Sequence, residues 1–166
     1  MQRAATVRLG ALIATVAVVG LIAALYAVRA SGATHVRVVM TATNNTLGKK
    51  ILVKRNGMTL YSLSVERKGH FICTVSSCLS VWKPLVVRAG TVPTGVAQLS
   101  VVKRPDGRRQ VAYRGAPLYA FALDKSAGDV KGNGFKDVGV WRPATVVAQQ
   151  PTPAPAPGPP GGGYGP

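Results

Sequence analysis

The sequence predicts an all-β protein in which two pseudo-symmetric repeats form one small sandwich or barrel, preceded by one N-terminal transmembrane or signal helix. Three observations predict it. Turn signals recur every eight to twelve residues between stretches rich in Val, Ile, Leu and Tyr, the spacing of short antiparallel strands. No long segment of this middle region keeps a helical period. One ordered set of residues occurs twice at a nearly fixed offset, which marks two copies of one unit that bury a shared face.

The first element is the run Leu9 to Val28, twenty residues without a charge between Arg3 and Arg8 on one side and Arg29 on the other. At 1.5 Å per residue such a helix is about 30 Å long, enough to cross a bilayer core. That length favours an uncleaved signal anchor, while the small residues Ser31, Gly32 and Ala33 suit a signal peptidase. Residues 1–30 are therefore a signal anchor or signal peptide, and the rest of the chain is exported, either anchored to the cell membrane or secreted. The absence of a cysteine close behind the run excludes a lipid-modified one.

Residues 31–49 read as a stalk and first strand, with Val36 to Thr43 extended. Residues 50–147 read as the tandem repeat, with copies near 50–88 and 108–147. Lys50 to Arg55 and Met58 to Val65 flank Asn56-Gly57, a two-residue hairpin signal. Gln98 to Lys103 and Arg108 to Arg114 flank Pro105-Asp106-Gly107, a second hairpin. Further strands are expected over Val81 to Val87 and Val138 to Val147. Residues 148–166 form a Pro/Gly-rich tail that cannot build a core and is expected to be extended and disordered. About 119 residues remain between the apolar run and the tail, one domain's worth.

In the repeat, Gly57 to Leu63 lies over Gly115 to Phe121, Glu66 over Asp124, and Trp82-Lys83-Pro84 over Trp141-Arg142-Pro143, at offsets of 58 to 59. Tyr119 and Phe121 are two apart on a strand and share a face. Asp124 follows at the strand end, where a carboxylate accepts backbone N–H bonds. Tyr61, Trp82, Tyr119, Phe121 and Trp141 read first as packing residues; a surface aromatic platform for a ligand is the alternative.

Tyr119-Ala120-Phe121-Ala122-Leu123-Asp124 fits a Tyr-x-(Phe/Trp/Tyr)-x-x-Asp motif. With Leu60-Tyr61, the cysteine pair ahead of Trp82-Lys83-Pro84-Leu85, and the glycines of Gly128 to Gly134 ahead of Val140-Trp141, it resembles a family of bacterial secreted proteins and lipoproteins described as a secreted repeat of unknown function. The first copy departs from the motif, with Leu63 for the aromatic and Glu66 for the Asp, and the lipidation cysteine is missing. The resemblance implies an exported, envelope-associated module and no particular activity.

Cys73 and Cys78 suit an oxidising compartment. They read as a short-loop disulfide contributing about 2 kcal/mol. The alternative is a redox or copper site in which His70, Cys73 and Cys78, with Met58, supply soft ligands; two free thiols are a third possibility. Three of the five carboxylates, Asp124, Asp129 and Asp137, fall in one glycine-rich stretch with Asn133, the one place where oxygen ligands for calcium gather. Lys125, Lys131 and Lys136 oppose a cation there, and the plain reading is a solvated loop. No cofactor is expected.

The chain carries 21 basic and 5 acidic residues. Three of the basic and none of the acidic residues precede Ser31, so the exported part keeps a net charge of +13. Basic pairs recur at Lys49-Lys50, Lys54-Arg55, Arg67-Lys68, Lys103-Arg104 and Arg108-Arg109, concentrated at strand ends. Such a field draws polyanions. For an exported chain these are anionic lipid headgroups or cell-wall polymers rather than nucleic acid. No catalytic constellation is legible: the only histidines are His35 and His70, the carboxylates are too few to pair for acid/base work, and no phosphate-cradling loop follows a strand. The expected function is a non-enzymatic, envelope-associated module, with extracytoplasmic redox or copper binding as the alternative.

Overall fold

The computed structural model describes residues 32–146. The expected signal or transmembrane helix and the Pro/Gly tail lie outside these residues. Among the described residues no helix is long and apolar enough to cross a membrane.

The described residues form β-strands in four small sheets, and none of these closes into a barrel. In chain order the strands are β1 (Thr34–Arg37), β2 (Met40–Asn44), β3 (Lys49–Val53), β4 (Leu60–Leu63), β5 (Trp82–Pro84), β6 (Val86–Val87), β7 (Thr91–Thr94), β8 (Leu99–Lys103), β9 (Arg109–Tyr113), β10 (Ala116–Pro117), β11 (Tyr119–Phe121) and β12 (Trp141–Pro143). One short helix, α1 (Ser76–Val81), precedes β5. β1 pairs with β7 in parallel, and β2 with β3 antiparallel. β9 pairs with β6, β8 and β10, and the remaining sheet runs β12-β4-β11-β5.

The β8–β9 hairpin forms where its Pro-Asp-Gly turn places it, with Gly107 at φ 81°. Asn56-Gly57 makes a turn but no ladder: Gly57 N–H donates to Lys54 O, Lys54 N–H to Met58 O, and the only pairing is the bridge Val53 to Thr59. β3 instead pairs backwards with β2, and β4 leaves for the central sheet. The expected strand over Val81 to Val87 is two strands with Leu85 between them. β5 pairs with β11 and β6 with β9, because the chain switches sheets at Leu85. Part of the expected stalk, Thr34–Arg37, pairs with β7, a long-range partner that local turn chemistry does not encode.

The central sheet places the copies in reciprocal contact. β4 and β11 run antiparallel with Tyr61 opposite Tyr119. Trp82 of the first copy pairs with Phe121 of the second, and Trp141 of the second with Leu63 of the first. The backbone repeats this exchange. Leu85 N–H donates to Leu118 O as Ala144 N–H donates to Leu60 O; Val111 N–H donates to Leu85 O as Leu52 N–H donates to Ala144 O. Each hairpin is thus completed by the Trp strand of the other copy.

Alternation along β4 and β11 divides the interior in two. Leu60 and Leu118 enter one cluster with Val39, Leu52, Val111, Tyr113 and Ala144. Tyr61 and Tyr119 enter the other with Leu63, Cys73, Trp82, Phe121 and Trp141. Each cluster draws side chains from both copies, so neither copy closes a core alone.

Candidate functional site

The aromatic residues of the motif converge at the centre of the molecule. Trp82 and Trp141 stack with ring centroids 3.8 Å apart and planes 7° from parallel. Tyr61 and Tyr119 meet Trp82 and Trp141 edge-on, at 5.3 and 5.1 Å. All four rings are at most 2% exposed and Phe121 is 5% exposed. They are packing residues, and the alternative of a surface platform fails because no ring face is open to a ligand.

Two acids seal this centre by the same device. The Tyr61 hydroxyl donates to Asp124 Oδ2 at 2.7 Å, and the Tyr119 hydroxyl to Glu66 Oε2 at 2.8 Å. Each acid then holds the loop that follows it: Glu66 Oε1 accepts the N–H groups of Ile72 and Cys73, and Asp124 Oδ1 accepts that of Lys131. Burial, then the neighbouring carboxylate, pushes both tyrosines well above their ordinary value. Burial raises the Asp124 carboxyl against the lowering effect of Tyr61 and Lys131. The two hydroxyls donate to the acids and so brace the loops.

The structure adds a residue that the sequence pattern assigns to the surface. Arg104 is 2% exposed. Its Nη2 donates to Cys73 O at 2.6 Å and its Nη1 to Gln110 Oε1 and to the Tyr119 hydroxyl at 3.0 Å, while Nε lies 3.3 Å from Asp106. The guanidinium also covers the Phe71 ring, 4.8 Å from its centroid. Tyr119 therefore bridges a buried cation and a buried carboxylate. The Lys103-Arg104 pair does not act as two surface charges, and only the backbone reversal at this turn, which aims Arg104 inward, reveals the difference. Its place near the turn of the β8–β9 hairpin matches that of Asn44 near the turn of the β2–β3 hairpin. Asn44 is also buried and donates across to Gly128 O.

Cys73 and Cys78 are joined in a disulfide that ties the loop after Glu66 to α1. The copper set of His70, Cys73 and Cys78 therefore has no thiolates to offer, and His70 is exposed. The calcium set is also dispersed. Asp124 is engaged by Tyr61 and Lys131, Asp129 accepts the N–H groups of Lys125 and Ser126, and Asp137 stands exposed. The Lys125 and Ser126 N–H groups, with Lys131, draw Asp129 down to about 2. Among the described residues no three His, Cys, Asp or Glu side chains group to hold a metal. Beside the disulfide lies an open, largely apolar groove of about 510 Å³, lined by Ile72, Val75, Phe135 and Val138 and reached by no more than the edge of Trp82.

The other basic pairs lie at the surface, with Lys54 half-buried and Lys49, Lys50, Arg55, Arg67, Lys68, Lys103, Arg108 and Arg109 exposed. Few acids balance them. Glu66 and Asp124 are buried; Asp106 is held by Arg108 and Arg104, and Asp129 by Lys131. The Arg108 hydrogen bonds above all keep the Asp106 carboxyl well below the usual carboxylate range.

Fold, motif and disulfide together define a β-rich chain in which one motif occurs twice. Residues 100–145 match the family model Lipoprotein_15, a secreted repeat of unknown function. The match runs from within β8 to just past β12, covers most of the second copy and takes in Tyr119, Phe121, Asp124 and Trp141, which carry the resemblance noted in the sequence. Comparison with curated proteins and with solved structures gives no match. The match to a family of secreted repeats and the disulfide both point to an extracytoplasmic location.

Proposed function

We propose that the protein is a non-enzymatic module of the cell envelope, held at the membrane by residues 9–28 and attracted to anionic envelope polymers by its basic surface. The observation that carries this reading is how the charge is distributed. Two of the five carboxylates are buried under tyrosine hydroxyls, and two more are paired locally, so the basic turn ends face solvent largely uncompensated. A surface field of one sign concentrates polyanions and is screened by salt. The motif residues, which a catalytic reading would need exposed, are consumed in holding the two copies together. On this reading the copies act as one pseudo-symmetric unit and no cofactor takes part.

The test is co-sedimentation of the purified full chain, in neutral detergent, with cell envelopes before and after extraction of their anionic polymers. The expected result is pelleting with intact envelopes, release as salt rises, and little pelleting after extraction. Pelleting that ignores both salt and extraction contradicts the proposal.

A further inference from the structure

One concavity gathers basic side chains from three separate elements. Arg67, Arg114 and Arg142 line a hollow of about 350 Å³, together with Ser62, Thr145 and Tyr113. The fold itself brings them together. Arg142 on β12 lies directly opposite Ser62 on β4. Arg67 follows Glu66, which is fixed by its bonds to Ile72, Cys73 and Tyr119. Arg114 occupies the tight turn between β9 and β10, and Lys68 N–H donates to Gly115 O at 2.8 Å, which holds the Arg67-Lys68 turn against the Arg114-Gly115 turn.

Among the described residues none of these three guanidinium groups makes a side-chain hydrogen bond or an ion pair, and no acid lines the hollow. Three like charges around one concavity repel one another unless an anion joins them. Arg114 has φ 51°, a backbone conformation that glycine or asparagine adopts far more readily than arginine. Strain of this kind gathers at sites kept for function.

The repeat supplies an internal comparison. At its offsets of 58 to 59, Arg67, Arg114 and Arg142 correspond to Lys125, Asn56 and Lys83. Lys125 is already engaged, its Nζ donating to Ala122 O. The arginine cluster is thus peculiar to one side of the molecule.

We infer that the Arg67, Arg114 and Arg142 hollow binds a phosphate group of a linear anionic polymer. Forked guanidinium donors match phosphate oxygens in pairs, and the Ser62 and Thr145 hydroxyls add donors at the rim. The hollow has room for one phosphate and its linkage. None of the exposed large apolar residues lines it, so nothing there enters an acyl layer, which favours a chain over a bilayer surface. The inference rests on the electrostatic function proposed above and gives it a specific site.

The experiment is calorimetric titration of the full chain in neutral detergent with inorganic tripolyphosphate at about 0.15 M salt. Arg67→Ala and Arg142→Ala are each expected to weaken binding about tenfold or more, while Lys83→Ala, which removes the same charge at the matching position, stays within about twofold. Arg114→Asn is expected to weaken binding while raising the melting temperature, a combination that a merely structural arginine does not give. Equal losses in Arg142→Ala and Lys83→Ala overturn the site and leave the general electrostatic reading standing. A chain that binds phosphatidylglycerol vesicles in an Arg142-dependent way but not tripolyphosphate overturns the polymer assignment. Binding to neither probe, even at low salt, overturns both the site and the function on which it rests.

Discussion

Arg104 joins the two copies at a single atom cluster. It spans Cys73 O, Gln110 and the Tyr119 hydroxyl, whose proton goes to Glu66. Removing a buried charge of this kind leaves its partners unpaired, which costs about 3–5 kcal/mol. Arg104→Met should therefore lower the unfolding free energy by about that amount, read as a fall in the denaturant midpoint, and Arg104→Lys should not restore it, since a compact ammonium cannot span acceptors set around a planar fork. The tyrosines give a pH signature. Their folded values are raised above the ordinary value of 10.0, so the folded chain retains protons that the unfolded chain loses. Their stabilisation is complete below pH 10 and is lost as pH climbs above it, by up to about 1.4 kcal/mol per pH unit for each tyrosine. Unfolding followed between pH 9 and 12 should show this loss, and Tyr61→Phe with Tyr119→Phe should flatten the slope. The motif tyrosines and tryptophans are legible in the sequence because each occurs twice in order. Arg104 is not, because burial of one arginine in a basic chain leaves no mark on composition or period.

Packing of the loops on the aromatic centre decides events at the level of elements. Gly132 belongs to the loop that Asp124 holds, and a Cβ added there would stand 2.7 Å from Trp82 Cη2 and 3.1 Å from Phe121 Cγ. The obstacle is steric and falls on two buried rings that cannot retreat, so Gly132→Ala should cost about 1–3 kcal/mol, read from the thermal midpoint with the disulfide intact. Strand class and the β8–β9 turn follow from local residue chemistry and are legible in the amino-acid pattern alone. The partners of the strands are not. Asn56-Gly57 promises a hairpin, yet β3 finds β2 and β4 finds β11. Leu85 and Leu118 look like ordinary strand residues, yet each marks the point where the chain passes from one sheet to another. Turn chemistry specifies neighbours a few residues apart, whereas these pairings are chosen by burial on both sides of the central sheet.

At the scale of the whole molecule, the exchange of Trp strands makes the two copies one structure. Trp82 completes the half that holds Phe121, and Trp141 the half that holds Leu63, so truncation after the first copy would strip both clusters of side chains. The same arrangement buries two of the five acids and leaves most of the bases outside. The net charge of +13 from Ser31 onward is visible in the sequence; the removal of Glu66 and Asp124 from the surface, and of Arg104 with them, is visible only in the fold. The proposed function makes this outward charge the working surface. It is tested most directly by the affinity of the full chain for a phosphate-rich cell-wall polymer across a salt series. An electrostatic surface predicts that the logarithm of affinity falls linearly with the logarithm of salt, with a loss of at least about tenfold between about 0.05 and 0.3 M. An affinity that stays flat across the same series would contradict it.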